Sequence, residues 1–526
     1  MITRAKHWWK IVLNGDSKGI LAGLAAHSGQ ISVGLSQGFS AVLVPKLLDS
    51  QFATVSETTW IASLGVISNP VGALLAGCTS EWFGRRSAIA LATLPHAAGW
   101  LLIAMSSNVQ MLYIGRFISG IGTGMANGIY LYVSEAAAPH QRPWLASSGP
   151  VLVSFGVLII YILGALTTWQ RTAAIGVGPA ILSLALIRML PETPAWLVSK
   201  SRPEEARESL LWLRGPGAAM ESEYQELCEC NMKRECQKSS LIDALHESCV
   251  WKPFLILLLF FTLQQFSGIY IILFYAVTVL TDIGVSVDEY FGSVGIGVVR
   301  LFTSIIGAAL ARNFGRKTMA CISGLGMFVS AVGVALSIRY NIPSWIPLIC
   351  IGSHVGFSMI GYLTLPWVMT SELYPLRFRG SLGGLTTSLA QLLTFSAIKT
   401  YPDLRSTIGL EATVWIFSCS SLLGAVFALT VLPETLGRSL EQIETAFSQE
   451  TVHVDPESPS MIAAPKNVTL KRYASILEEK NLDNTPYVYD NYCFDSSTEG
   501  STKKENCKTV SDKVSKSCLS LEHMYL

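Results

Sequence analysis

The chain has 526 residues, 50 % hydrophobic and only 14 % charged, with a formal net charge of +1 and a mean hydropathy of +0.42. A soluble domain carries about 25 % charged residues and keeps roughly half its exterior polar, so this composition suits a surface that faces lipid. The near-zero net charge leaves no basic face for nucleic acid and no acidic face for a cationic partner.

The first 18 residues, MITRAKHWWKIVLNGDSK, are basic and lack a short apolar run ending in a small-residue cleavage site, so the first long apolar stretch reads as a retained helix. A bilayer core takes about twenty apolar residues per helix. By that measure spans begin near Gly19, Thr58, Ser87, Gln110, Trp144 and Arg171, forming a first six-helix bundle over residues 19–190. Residues 191–251 form a charged central loop with short amphipathic helices such as RPEEARESLLWLR. Six further spans begin near Lys252, Glu289, Lys317, Ser344, Gly380 and Leu410, giving a second bundle over 252–433. Residues 434–526 are rich in Ser, Lys, Glu and Asn and read as a disordered tail. The expected fold class is an all-α polytopic membrane protein of twelve transmembrane helices in two six-helix bundles.

Loop charges set the expected orientation. Arg85, Arg86, Arg142, Arg316, Lys317, Arg377 and Arg379 share one side with the central loop, whereas Asp49, Glu57, Asp282, Asp288 and Glu289 fall on the other. The positive-inside rule then places both termini, the central loop and the tail in the cytosol. The glycosylation triplet Asn467-Val468-Thr469 lies in the tail, where no glycan is expected. Cys228, Cys230 and Cys236 lack the second pair that a metal site needs and read as reduced cytosolic cysteines; neither metal nor cofactor is expected. No Walker sequence or catalytic constellation points to an enzyme.

The two halves repeat. Glu81-Trp82-Phe83-Gly84-Arg85-Arg86 answers Arg312-Asn313-Phe314-Gly315-Arg316-Lys317. Glu135 and Arg142 answer Glu372 and Arg379 with the same spacing, and Pro191-Glu192-Thr193 answers Pro433-Glu434-Thr435. Three matches in one order mark a duplication of the kind that sets two bundles about an axis along the membrane normal, with a solute between them.

These sequences, with Gly115-Arg116-Phe117, Gln264-Gln265-Phe266-Ser267-Gly268, Pro366-Trp367 and the closing PETLGRSLEQIE, resemble the sugar porter family of the major facilitator superfamily. The phrases LTLPWVMTSELYP and QQFSGIYIILFY resemble its insect branch of facilitated trehalose transporters. The resemblance implies passive transport of a sugar such as trehalose or a hexose by a monomer in the plasma membrane. It further implies a gate on the cytosolic side, an inter-bundle salt-bridge network of Glu81, Arg85, Arg86, Arg116, Glu135, Arg142, Glu192, Arg316, Glu372, Arg379 and Glu434. Arg312 stands where the family has an acid and Ala195 where it has a base, which weakens that lock.

For the solute the resemblance implies Gln264, Gln265 and Trp367, and the expected set is completed by Tyr270, Tyr275, Arg300 and Gln391. Amides offer donors and acceptors without a charge to desolvate, and aromatic faces cover the C–H surface of a sugar. The same polar groups also serve as packing glue between helices. Tyr270 replaces a family Asn, Pro150 lies near a family Gln, Leu363-Thr364 replaces Gly-Pro and Arg300 falls near another Asn. A cation at membrane depth faces a cavity or a partner, which leaves a polyol or organic anion open as alternative solutes. Proton coupling is a further alternative, although the first span carries only His27, with His96 and His354 elsewhere in the spans. A non-transporting nutrient sensor is another, suggested by the long tail.

Overall fold

The computed structural model describes residues 15–449 apart from 139, 237–246, 286–287, 312, 341, 344, 376–378 and 437–439. The segment up to residue 14, the tail beyond 449 with Asn467, Arg312 and Arg377, and the side chains of Cys230, Cys236 and Arg379, lie outside what is described.

The described chain is helical throughout. In order come α1 (Gly15–His27), α2 (Gly29–Asp49), α3 (Val55–Ile67), α4 (Asn69–Phe83), α5 (Arg85–Ala104), α6 (Val109–Met125), α7 (Gly128–Ala136), α8 (Arg142–Leu166) and α9 (Trp169–Ile187). The short α10 (Pro194–Ser199), α11 (Pro203–Arg214) and α12 (Ala218–Cys236) follow. Then come α13 (Ser248–Gln265), α14 (Ile269–Phe274), α15 (Ala276–Ile283), α16 (Glu289–Leu310), α17 (Arg316–Arg339), α18 (Trp345–Ile360), α19 (Leu365–Glu372), α20 (Arg379–Thr430) and α21 (Leu440–Gln449).

Ten of these segments are long and apolar enough to cross a membrane. The longest, Ser381–Thr430, turns at Gly409 (φ 84°, ψ 164°) and so supplies two crossings. The pair α6–α7, interrupted at residues 126–127, supplies another, which brings the described rods to twelve. Side chains such as Leu74, Phe302 and Val329, each more than 60 % exposed, point outward where only lipid can cover them.

Polar caps fix the ends of the rods. Thr54 and Glu57 form a reciprocal capping box at α3, Asn108 accepts from the Met111 amide at α6, and Asp288 accepts from Tyr290 and Phe291 at α16. Glycine permits the closest crossing: a Cβ on Gly34 of α2 would collide with the Val153 carbonyl of α8, and Gly156 faces it from the other side.

The rods of each half pack mainly on one another, α2 on α8 and α5 on α6 and α9 in the first, α17 on α18 and α20 in the second. The halves meet along α8–α16, along α20 with α3 and α4, and where α14 and α15 lie on α2. The loop helices dock beneath the first half: Trp196 donates to the Glu81 carbonyl at 3.1 Å, Arg214 to that of Ala136 at 2.8 Å, and Ser209 to that of Glu192 at 2.5 Å.

Candidate substrate pathway and charged end

At one end of the rods, each half builds the same cluster from its repeated residues. Arg85 lies 3.2 Å from Glu135, and Arg316 lies 2.9 Å from Glu372. Thr193 donates its hydroxyl to Glu135 at 2.6 Å, and Thr435 to Glu372 at 2.5 Å. Glu192 accepts from the Arg86 amide at 2.9 Å, and Glu434 from the Arg316 amide at 2.8 Å. Each of these last two carboxylates therefore caps the helix that follows the Gly-Arg turn, where the helix dipole and free amides favour an anion. Glycine is required at the turn because a Cβ on Gly84 or Gly315 would strike the capping carboxylate.

The Glu434 carboxyl has two opposed influences. Partial burial pushes it up, but the amides of Leu436, Arg316, Lys317 and Thr435 together hold it below the usual carboxylate range.

Among the described side chains of the expected network, the ion pairs are formed within halves. Among the described side chains, each acid of the cluster finds its partners within its own half. Glu81 is exposed and reaches only Arg85, at 3.3 Å. Arg86 donates to the Leu190 carbonyl at 3.1 Å. Arg142 is exposed and caps the end of α7 by donating to the Ala137 carbonyl at 3.1 Å. Arg116 does not belong to this end at all. It is 1 % exposed near the opposite end of the fourth rod and donates to the Ile61 carbonyl, to Ser40 and, at 3.5 Å, to the Ser36 carbonyl. With 1.5 Å of rise per residue, it sits about 28 Å from Glu135 along that rod. It braces α2, α3 and α6 against one another.

The opposite end is where described side chains tie the halves together. Lys399 of α20 donates to the Thr59 hydroxyl of α3 at 2.6 Å and lies 4.2 Å from the centre of the Trp60 ring. Lys46 of α2 lies 5.2 Å from the Tyr290 ring of α16 and donates to the Gly164 and Thr167 carbonyls of the α8 end. The Trp60 and Phe395 rings stand 6.3 Å apart. Side chains thus close the halves on each other at this end, whereas the described ion pairs at the charged end stay within halves.

Between the two ends lie the expected solute residues. Gln264 is fully buried and donates to the Tyr362 and Leu363 carbonyls, at 2.7 and 3.1 Å. These carbonyls belong to the break between α18 and α19, so Gln264 satisfies backbone that the break sets free. Gln265 donates to Gln264 at 3.3 Å and keeps its own Oε1 without a partner among the described residues. Trp367 opens α19, is partly exposed, and stands edge-on to Phe261 at 5.1 Å. Phe261 lies one turn before Gln265 on α13, so the indole and the free amide oxygen share that face. Tyr270, two residues after the left-handed Gly268, is buried at the start of α14.

Tyr275 sits farther toward the closed end, donating weakly to the Ile398 carbonyl at 3.4 Å and packing on Tyr401. Gln391 meets the amide of Asn69 at 3.0 Å, joining α20 to the second rod. Arg300 is 3 % exposed on α16 and reaches Ser154 of α8 at 3.3 Å and Gln37 of α2 at 3.5 Å. Gln37, Ser154, Asn69, Thr193 and Thr435 are site residues that motif reading passes over. The repeated Thr in Pro-Glu-Thr is the signal that picks out two of them, and Gln37 is one of two glutamines, with Gln30, in the apolar first span. Of the span histidines, His27 stands edge-on to Tyr130, and His354 meets the Met327 carbonyl at 3.1 Å.

Two pseudo-equivalent six-rod halves, with broken helices around a buried polar middle and capped clusters at one end, define a multi-pass membrane carrier of the alternating-access type. The model of the sugar (and other) transporter family matches residues 27–447, and the chain belongs to that family, which is one of carriers and not of enzymes. The chain is similar to the facilitated trehalose transporter Tret1 of Apis mellifera ligustica, with 32 % identity over 82 % of this chain and 88 % of that one. It is equally similar to the Tret1 of Bombyx mori, with 32 % identity over 81 % and 86 %. Among solved structures, the proton:xylose symporter XylE bound to 6-bromo-6-deoxy-D-glucose aligns over 82 % of this chain and 99 % of its own, with a TM-score of 0.72 and 24 % identity. A partially occluded inward-open XylE from E. coli aligns with a TM-score of 0.69, over 80 % and 100 %, at 24 % identity. These two likenesses establish the shared major facilitator fold.

Proposed function

We propose that the chain is a facilitative uniporter that carries trehalose or a hexose across the plasma membrane as a monomer. The observation that carries this reading is the paired Gln265 and Trp367. A buried amide oxygen without a partner and a partly exposed indole share one face at two helix breaks, and together they offer a hydroxyl acceptor and a flat apolar surface. The names of the insect relatives support trehalose as the sugar. The absence of an acid from Gly19 to Val44 supports passive transport.

In this reading the charged end faces the cytosol, because the basic loop residues gather there, and residues 19–190 and 252–433 are the two rocking bundles. Trp367, Gln265, Tyr270 and Gln391 contact the sugar, Tyr275 closes the path above it, and Gln264 holds the break in shape. The clusters around Glu135 and Glu372 keep each bundle rigid while the two move.

The test is uptake of labelled trehalose and glucose into proteoliposomes containing the full chain. Saturable uptake indifferent to an imposed pH gradient is expected. Uptake driven by the gradient refutes the uniport, and no saturable uptake of either sugar refutes the reading.

A further inference from the structure

Two arginines are buried among the rods, and the contrast between them is informative. Arg116 has no nitrogen without a partner: its guanidinium meets two carbonyls and a serine hydroxyl. That is a helix brace, satisfied from within its own half. Arg300 differs on each count. Its contacts are neutral, long and contributed by the other half, at 3.3 Å to Ser154 and 3.5 Å to Gln37. Its Nη1 has no partner among the described residues, and no described carboxylate lies within ion-pair distance.

Arg300 also sits at the depth where a solute rests. Eleven residues into α16, it lies about 17 Å from the capped end at Asp288, which is roughly the middle of a bilayer core. Tyr161, two turns beyond Ser154 on α8, donates its hydroxyl to the Leu273 carbonyl of the other half at 2.9 Å. Gln37, through which Arg300 meets the first rod, is itself partly exposed. The cation therefore stands behind the partly exposed Gln37, at mid-membrane depth between the halves.

A guanidinium presents its N–H groups in a planar fork that matches a carboxylate, and the match strengthens where water is excluded. We propose that Arg300 is a carboxylate subsite within the sugar pathway, so that the chain takes a hexuronate in preference to the corresponding neutral hexose. A hexuronate keeps the ring, its hydroxyls and its C–H face for Gln265 and Trp367, and adds one anionic group for the fork. The inference rests on the reading of this pathway as a sugar site.

The experiment uses the purified full chain in two formats, with glucuronate and glucose as probes. In the first, glucuronate raises the thermal midpoint more than an equal concentration of glucose. In the second, proteoliposomes take up labelled glucuronate in preference to glucose. The ratio of the two uptakes falls about tenfold or more in Arg300→Gln, the loss expected for one charge-assisted pair. Arg300→Lys, which keeps the charge, retains most of the preference. If Arg300→Gln does not fold, the wild-type and Arg300→Lys comparisons decide the matter. Equal response to the two probes in wild type overturns the inference, as does a ratio unchanged in Arg300→Gln. Saturable glucose uptake that excess glucuronate leaves untouched sinks the subsite and spares the sugar carrier. Glucuronate binding without uptake of any sugar does the reverse.

Discussion

Replacing Lys399 by leucine should open the end that is closed in this structure. The side chain spans the two halves, with its ammonium on the Thr59 hydroxyl at 2.6 Å and over the Trp60 ring at 4.2 Å. A cation–π contact contributes about 0.5–1 kcal/mol at exposed sites and about 2 when desolvated. Trp60 is 42 % exposed, so the lower figure applies. The charge-assisted hydrogen bond adds a similar amount after discount for its wet surroundings. Both contacts cross from one half to the other and must break when the halves part here, so their sum is differential energy between states. A loss of about 1–2 kcal/mol shifts the population toward the open form by a factor of about 5–30. Leucine keeps the apolar stem, so packing within α20 is preserved. Backbone hydrogen exchange reads the change: protection should fall around Thr54–Trp60 and around 395–409, while the charged end gains protection. Unchanged exchange in both segments, or a uniform rise along the whole chain, would refute the reasoning.

The two adjacent glutamines should separate by function. Gln264→Ala strands the Tyr362 and Leu363 carbonyls and should lower stability by about 1–3 kcal/mol, seen as a reduced thermal midpoint. Gln265→Ala removes an oxygen with no described partner and one long 3.3 Å bond to Gln264, so it should lower the midpoint less than Gln264→Ala does and raise the KM for sugar uptake. Glu434 should make stability depend on acid: its folded value is depressed, so its contribution is present above the ordinary carboxylate range and is lost as pH falls through the folded value. A Glu434→Gln chain should show a shallower decline of the midpoint with acidification, and an identical decline would contradict the capping role.

The rods were legible because their signal is long and redundant. Eleven of the twelve starts expected from apolar runs fall within about one turn of a helix start, as Gly19 against Gly15 and Glu289 against Glu289, and the twelfth, Leu410, falls at the Gly409 turn inside α20. The duplication is legible for a further reason: Arg85 and the Thr193 hydroxyl bond Glu135, and the Arg86 and Thr193 amides bond Glu192, so a change at one of these positions leaves a partner unsatisfied. What escaped is tertiary. The partners of Gln264 lie about a hundred residues away in a break that no local pattern announces, so solute contact and backbone support looked alike. Arg116 was grouped with the gate because it stands in a short motif beside other motif arginines. Counting rods from the charged end places the start of the fourth at the far end, and that parity alone separates Arg116 from Glu135.

The self-contained clusters bear on how such a carrier can afford to move. If Glu135 or Glu372 depended on a base in the other half, parting the halves would leave a desolvated carboxylate without a partner, a loss of several kcal/mol at a buried site. Here each acid keeps an arginine, a threonine hydroxyl and a neighbouring helix cap inside its own half. The charged end can therefore open without stranding a charge, and any contact made across it on closing is additional. The halves are instead joined at the opposite end by Lys46 and Lys399, each resting on an aromatic ring of the other half. Such pairs are weak, exposed and rehydrated when broken, so both states stay within reach of the modest differential binding that a small solute supplies.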